Sequence, residues 1–256
     1  MLARRADGYH DIETLMVPIP LNDILEVIPS SDDSVVFTSS GLTVDSKPEE
    51  NLCVHVWRAM RARYGIPGVR IHLHKKIPVG AGLGGGSADA AFTVRMLNEL
   101  FSLGLTTEEL EENALHAGSD CPFFIRTRIA LATGRGEVLT PLEVQISGLR
   151  LVVVKPSFKV STAMAYQHVK PNSQRTPLKK LLALPVSHWK DTVFNDFEEM
   201  VLDQFPEAAH IKQVFYEKGA LYAQMSGSGS AFFALFEGEF KPAPSFEKRV
   251  IYNGLL

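Results

Sequence analysis

The stretch PVGAGLGGGSADAA, Pro78 to Ala91, decides how the rest of the chain is read. Five of the seven residues from Gly80 to Gly86 are glycine. One face of the segment is therefore free of Cβ atoms, and its backbone N–H groups can close around phosphate oxygens that bulkier residues would exclude. The Ala-rich apolar pattern of Ala88 to Leu103 continues as a helix that exits at Gly104. Its positive N-terminal end points at the same place, and Ser87 adds a hydroxyl there for a phosphate or a magnesium ion. A nucleoside triphosphate fits such a site. The plain alternative is a flexible loop or a helix-packing patch of glycines. A P-loop is excluded, because no Gly-Lys-Ser or Gly-Lys-Thr follows the glycines. Gly80, Gly82 and Gly85 satisfy the dinucleotide spacing, but Lys75-Lys76-Ile77-Pro78 separates them from the preceding strand, which alternates instead of running apolar.

Upstream, Val69, Ile71 and Leu73 alternate with Arg70, His72 and His74, so the strand has one buried and one polar face and belongs to a mixed or antiparallel sheet. Asn51 to Tyr64 has apolar residues at helical spacing. Ile12 to Ile28 and Val35 to Thr38 predict short strands. Downstream, Thr106 with Glu109 forms a capping box for a helix ending near Ala117, and Gly118-Ser119-Asp120-Cys121-Pro122 makes a turn. Phe123 to Gly136 reads as strand and turn. Arg150 to Lys155 is a β-branched strand, and a domain boundary is placed just before it. Helices follow around Phe194–Gln204 and Glu207–Lys218, then two strands flank Met225 to Ala231.

The chain has 256 residues, 45% of them apolar, and a formal charge of −3 from 26 basic and 29 acidic side chains. It lacks the long basic run that a nucleic-acid or anionic-membrane surface needs, so a small molecule or a protein is the expected partner. Cys53 and Cys121 are the two cysteines, far apart and without metal-ligand spacing, which suits a reducing, cytoplasmic compartment. No stretch approaches the roughly 20 apolar residues that span a bilayer. His72 and His74 share a strand face without a third ligand nearby, and no metal site is read from them.

Pro78 to Ala91, with Gly82-Leu83-Gly84 at its centre, resembles the central phosphate-loop motif of the GHMP kinases. The resemblance spans nearly the whole chain: Asp7-Gly8-Tyr9-His10 with Glu13-Thr14, Gly118 to Phe124, Asn195-Asp196-Phe197-Glu198, and Met225 to Ser230. Together these are similar to the branch of the superfamily whose alcohol substrate carries a cytidine diphosphate, in the methylerythritol phosphate route to isoprenoid precursors. The resemblance implies an α+β, two-domain GHMP kinase fold. Residues 1–148 would form an N-terminal domain like the second domain of ribosomal protein S5, residues 149–256 a ferredoxin-like C-terminal domain, and the active site would lie in the cleft between them.

It further implies ATP and Mg2+ as cofactors and ATP-dependent phosphorylation of an alcohol, the 2-hydroxyl of the methylerythritol moiety. Pro78, Val79, Gly80, Ala81, Gly82, Leu83, Gly84, Gly85, Gly86, Ser87 and Ala88 would hold ATP. Asp120 would be the general base, where the residues alone allow equally a turn cap. Tyr9 and His10 would lie at the cytosine, with Tyr166 as the opposite stacking face and Thr162 near the transferred phosphate or the erythritol end. Gly227, Ser228 and Gly229 would support the phosphate loop from beneath. Family members carry a Lys-x-Asn strand upstream of the Asp-Gly-Tyr-His motif, and its lysine partners the catalytic aspartate. Only six residues precede Asp7, and Arg4 and Arg5 do not align with that lysine, so the lysine is expected to be missing and activity impaired. Three rivals stand beside this reading: a GHMP kinase for homoserine, mevalonate or a sugar, a dinucleotide-dependent oxidoreductase, and a noncatalytic nucleotide-binding protein.

Overall fold

The computed structural model describes residues 1–44 and 47–256. In chain order the elements are β1 Ala3–Arg4, β2 His10–Met16, β3 Ile24–Pro29, β4 Val35–Gly41, α1 Leu52–Tyr64, β5 Val69–Lys75, α2 Gly85–Leu100 and α3 Thr107–Leu115. There follow α4 Phe123–Arg126, β6 Ala130–Gly134, β7 Val138–Pro141, β8 Arg150–Val154, α5 Thr162–His168, α6 Leu178–Leu182, α7 Glu198–Gln204, α8 Pro206–Glu217, β9 Tyr222–Met225, β10 Phe232–Phe236 and β11 Val250–Leu255. Among the described residues no helix is long and apolar enough to cross a membrane.

The chain forms two compact units that are not contiguous in sequence. One comprises Met16–Val79 and Gly84–Pro141, the other Met1–Leu15, Gly80–Leu83 and Leu142–Leu256. The first is built on a mixed sheet of order β3-β5-β4, with β3 antiparallel and β4 parallel to β5. The alternation read from Val69 to His74 is realised: Val69, Ile71 and Leu73 are buried and Arg70 is exposed. Lys75 lies on the same inward face and is buried too. Helices α1 and α2 cover that face, and Trp57, Met60, Val94 and Leu97 join Ile71 and Cys53 in one core.

Local signals fix the helix ends. The Asn51 side chain accepts from the Cys53 amide at 2.9 Å and caps α1, while Gly65, at φ +67°, closes it. For α3, Thr106 and Glu109 form the expected reciprocal capping box. One expectation is corrected: Phe123 to Arg126 is a helical turn, not a strand. Pro122 sets a helical φ just before it, and the strand starts only at Ala130, after Thr127 reverses the chain at positive φ.

In the other unit β1 and β2 pair antiparallel. Residues from Arg150 onward form an antiparallel sheet of order β11-β8-β10-β9. Numbered along the chain, that order is 4-1-3-2, with helices between the first and second strands and a short one before the last, the ferredoxin-like pattern. Its core packs Val152, Val154, Ile211, Phe215, Phe232 and Met225. Phe215 meets Phe236, Phe240 and Phe246 in tilted or edge-on ring contacts.

Candidate active site

Three glycines of the Pro78–Ala88 segment, Gly80, Gly82 and Gly84, have φ between +66° and +74°, a conformation that L side chains rarely adopt. At two of them space is as restrictive as φ. A Cβ on Gly82 would lie 2.1 Å from the carbonyl oxygen of Ser226, and one on Gly84 would lie 2.7 Å from the Phe124 ring. Glycine is thus required by close approach as well as by conformation.

Gly84 is the N-cap of α2 and has no side chain to satisfy the amides of the first turn, formed by Gly85, Gly86 and Ser87. Those N–H groups have no partner within the helix, and the helix dipole adds to them. This end of α2 is built to receive an anion. On the preceding side, the Ser226 hydroxyl donates to the Gly82 carbonyl at 2.7 Å and the Ala231 amide to the Ala81 carbonyl at 2.9 Å. The turn from Met225 to Ala231 therefore grips the loop backbone, with Gly227 and Gly229 packed closely against Gly82. Ser228 also meets Thr162, with their hydroxyls 3.1 Å apart. Ser161 caps the helix that carries Thr162 by accepting from the Met164 amide.

Asp120 sits in the turn between α3 and α4. It is exposed, and desolvation by the surrounding protein raises its pKa above the ordinary carboxylate value. Among the described residues it has no hydrogen bond or ion pair, so it is open to an incoming hydroxyl. The next residue, Cys121, is buried. Burial pushes Cys121 up to about 11 and Cys53 up to about 12, so neither is a thiolate nucleophile near neutral pH.

Tyr9, His10 and Tyr166 divide differently. His10 and Tyr166 come together, ring centroids 5.3 Å apart and tilted 41°, and Tyr166 meets Phe197 edge-on at 4.8 Å. Tyr9 is 55% exposed, in a tight turn where the Asp7 carboxylate accepts from its amide. Because the His10 and Tyr166 rings touch, a cytosine would stack on an outer face of this pair or part it. His72 and His74 serve each other: Ser40 bridges the two rings at 2.9 Å to each, and Thr38 meets His72 at 2.8 Å. Among the described residues no group of three or more metal-ligating side chains converges.

A buried ionic triad beneath α2 was missed by the sequence reading. The Lys75 ammonium lies 2.5 Å from Asp23 and 2.8 Å from Asp89, with all three side chains less than a tenth exposed. The other oxygen of Asp23 accepts from the amides of Lys76 and Ile77, at 2.6 and 2.9 Å. The triad thus joins β5, the start of the glycine segment and the first turn of α2. A Cβ on Gly85 would come 3.4 Å from the ammonium and 2.8 Å from Ile77. Burial pulls Lys75 down, but its hydrogen bonds to Asp23 and Asp89 outweigh that and raise it. Desolvation pushes Asp89 up to about 6, against the pull of Lys75. One signal was legible: Lys75 continues the inward register of residues 69, 71 and 73, where a charge needs a buried partner.

Comparison with known proteins agrees with this geometry. The model of the GHMP kinases N terminal domain matches residues 51–128, and that of the GHMP kinases C terminal region matches residues 179–244. The 4-diphosphocytidyl-2-C-methyl-D-erythritol kinase of Parabacteroides distasonis is 45% identical over 258 residues, covering 100% of this chain and 94% of that protein. The enzyme of the same name from Bacteroides fragilis is 46% identical over 240 residues, covering 93% of this chain and 88% of that one. A crystal structure of 4-(cytidine 5'-diphospho)-2C-methyl-D-erythritol kinase superposes with a TM-score of 0.81 at 33% identity, over 99% of this chain and 92% of that chain. With a positive-φ glycine loop gripped by a second Gly-Ser turn, and relatives of this identity over nearly its full length, the chain belongs to the GHMP kinases, in the family of the 4-diphosphocytidyl-2-C-methyl-D-erythritol kinases.

Proposed function

We propose that the chain transfers the terminal phosphoryl group of ATP to the 2-hydroxyl of 4-diphosphocytidyl-2-C-methyl-D-erythritol. The observation that carries this is the glycine segment, whose positive-φ backbone leads into the uncapped first turn of α2. Phosphoryl transfer demands little covalent chemistry of the protein. It needs in-line positioning and neutralisation of charge on the phosphates. The amides of Gly85, Gly86 and Ser87 supply fixed dipoles for the phosphates, with Pro78 to Ala88 as the cradle. Ser87 also offers a hydroxyl oxygen, the hard donor that Mg2+ takes, and the ion brought by ATP would add positive charge there.

Asp120 is the proposed base. Its raised affinity for a proton suits removal of one from the attacking hydroxyl. His10 and Tyr166, with the exposed Tyr9, are proposed to hold the cytosine, and Thr162 beside Ser228 to meet the phosphate or the erythritol end. In this reading Gly227, Ser228 and Gly229 shape the loop without touching the reacting atoms. We also propose functional domains at 1–148 and 149–256, supported by family matches on either side of that boundary. The spaced, buried cysteines support a cytoplasmic setting.

The test is a panel of alcohols offered with ATP: the cytidine diphosphate substrate, homoserine, mevalonate and a sugar. Selective phosphorylation of the first is the expected result. Preference for any other alcohol refutes the substrate reading, and tight NAD binding without transfer refutes the kinase.

A further inference from the structure

Asn195 and Glu198 are assigned no part in the chemistry above, yet both are wired into the turn that grips the glycine loop. The Asn195 amide nitrogen donates to two carbonyls of that turn, Met225 at 2.8 Å and Gly227 at 2.7 Å, while its oxygen accepts from the Phe197 amide at 3.0 Å. Glu198 is 6% exposed. One of its oxygens accepts from the Met225 amide at 2.8 Å and the other from the Lys212 ammonium at 2.7 Å. A buried carboxylate needs such partners, so the spacing of two residues between Asn195 and Glu198 has a physical use. The pair takes hold of both polar groups of Met225 and the carbonyl of Gly227.

From there the contacts run to the loop. Residues 226 and 231 bond the carbonyls of Gly82 and Ala81, and the Gly82 α-carbon lies directly under the Ser226 carbonyl. We propose that Asn195 and Glu198 are positioning residues for phosphate binding, holding the Met225–Gly229 turn in the one shape against which the Ala81–Gly82 backbone can close. The inference rests on the reading of that loop as the ATP site. Neither residue is assigned a contact with ATP; both act through the turn.

The experiment compares Asn195→Ala and Asn195→Asp with Val201→Ala. Val201 is fully buried on α7 and makes no side-chain hydrogen bond, so its truncation loosens the same helix without touching the turn's polar contacts. Amide exchange in the unliganded full chain is read over residues 80–86 and 225–231, and ATP affinity by titration. Loss of two hydrogen bonds should speed exchange in both segments at least about tenfold in the Asn195 variants and weaken ATP by a similar factor. Affinity for the cytidine substrate should stay within about twofold. Val201→Ala should lower the melting temperature with ATP affinity kept. Unchanged exchange over 80–86 in the Asn195 variants overturns the inference, as does an equal rise in Val201→Ala. A wild-type chain that binds no ATP would instead sink the functional reading, leaving the exchange result to decide the inference.

Discussion

Replacing Gly82 by alanine puts one methyl group into the tightest contact of the site. At φ +74° alanine costs about 1–2 kcal/mol in backbone conformation. The methyl would also sit 2.1 Å from the Ser226 carbonyl oxygen and 3.0 Å from both the amide nitrogen and the carbonyl oxygen of Gly229. All three are backbone atoms, so relief requires the loop and the turn to part, breaking the 2.7 Å bond from Ser226 and the 2.9 Å bond between Ala231 and Ala81. Each lost bond adds about 0.5–1.5 kcal/mol. The sum, about 2–5 kcal/mol against the phosphate-ready loop, corresponds to a loss of roughly 30- to several-thousandfold in ATP affinity. Gly80→Ala is the matched control: φ is +66°, but a Cβ there meets nothing within 4 Å. Its cost is conformational only, and about tenfold in affinity is expected. Titration calorimetry with ATP, and separately with the cytidine substrate, reads both variants. If Gly82→Ala binds ATP within threefold of wild type, or no worse than Gly80→Ala, the close approach of loop and turn is not what shapes the site.

Asp120→Asn should leave ATP affinity nearly intact and lower kcat at least about a hundredfold. The rise of kcat/KM with pH as Asp120 loses its proton, displaced above the ordinary carboxylate range, should disappear with it; near-normal turnover excludes Asp120 as the base. Tyr166→Ala should weaken the cytidine substrate by about 1–3 kcal/mol and spare ATP. Equal losses for both ligands would trace to its edge-on packing against Phe197 instead. Asp89→Asn concerns stability: the carboxyl titrates near 6 in the folded chain against 3.8 ordinarily, so the native state binds its proton more tightly. Wild-type stability from this group is therefore present below about pH 4 and lost as pH rises through about 6, by up to about 3 kcal/mol. Urea midpoints across that window should show the slope in wild type and not in Asp89→Asn, and parallel curves would refute the assignment.

The parts of the fold written in local chemistry were legible. Asn51 caps α1, Thr106 and Glu109 box α3, and the alternation of Val69 to His74 gives both the buried face and the mixed sheet. Phe123 to Arg126 was misread because a strand and a single helical turn of four apolar or long residues look alike without a periodic partner; Pro122 and the positive φ at Thr127 decide it. The glycine density of residues 80–86 was legible as a tight backbone turn leading into a helix, and Gly80, Gly82 and Gly84 do adopt positive φ just before α2. The triad was not. Asp23, Lys75 and Asp89 are separated by 52 and 14 residues, and pairing over such spans is set by packing, which no local pattern encodes.

Two segments of the sequence are rich in glycine, 80–86 and 227–229. The structure gives them unequal roles. Residues 84–87 present the first-turn amides of α2, which have no side-chain cap. Residues 226–231 spend their polar groups on the protein instead, on Gly82, Ala81 and the Asn195 amide. A loop of five glycines is costly to order, because glycine loses the most conformational freedom on folding. Gripping it with a second turn that is itself bonded to a buried carboxylate moves that cost from the binding event to the folding of the chain. On the proposed reading of this segment as the ATP site, the Ala81–Gly82 backbone would then be ordered before ATP arrives.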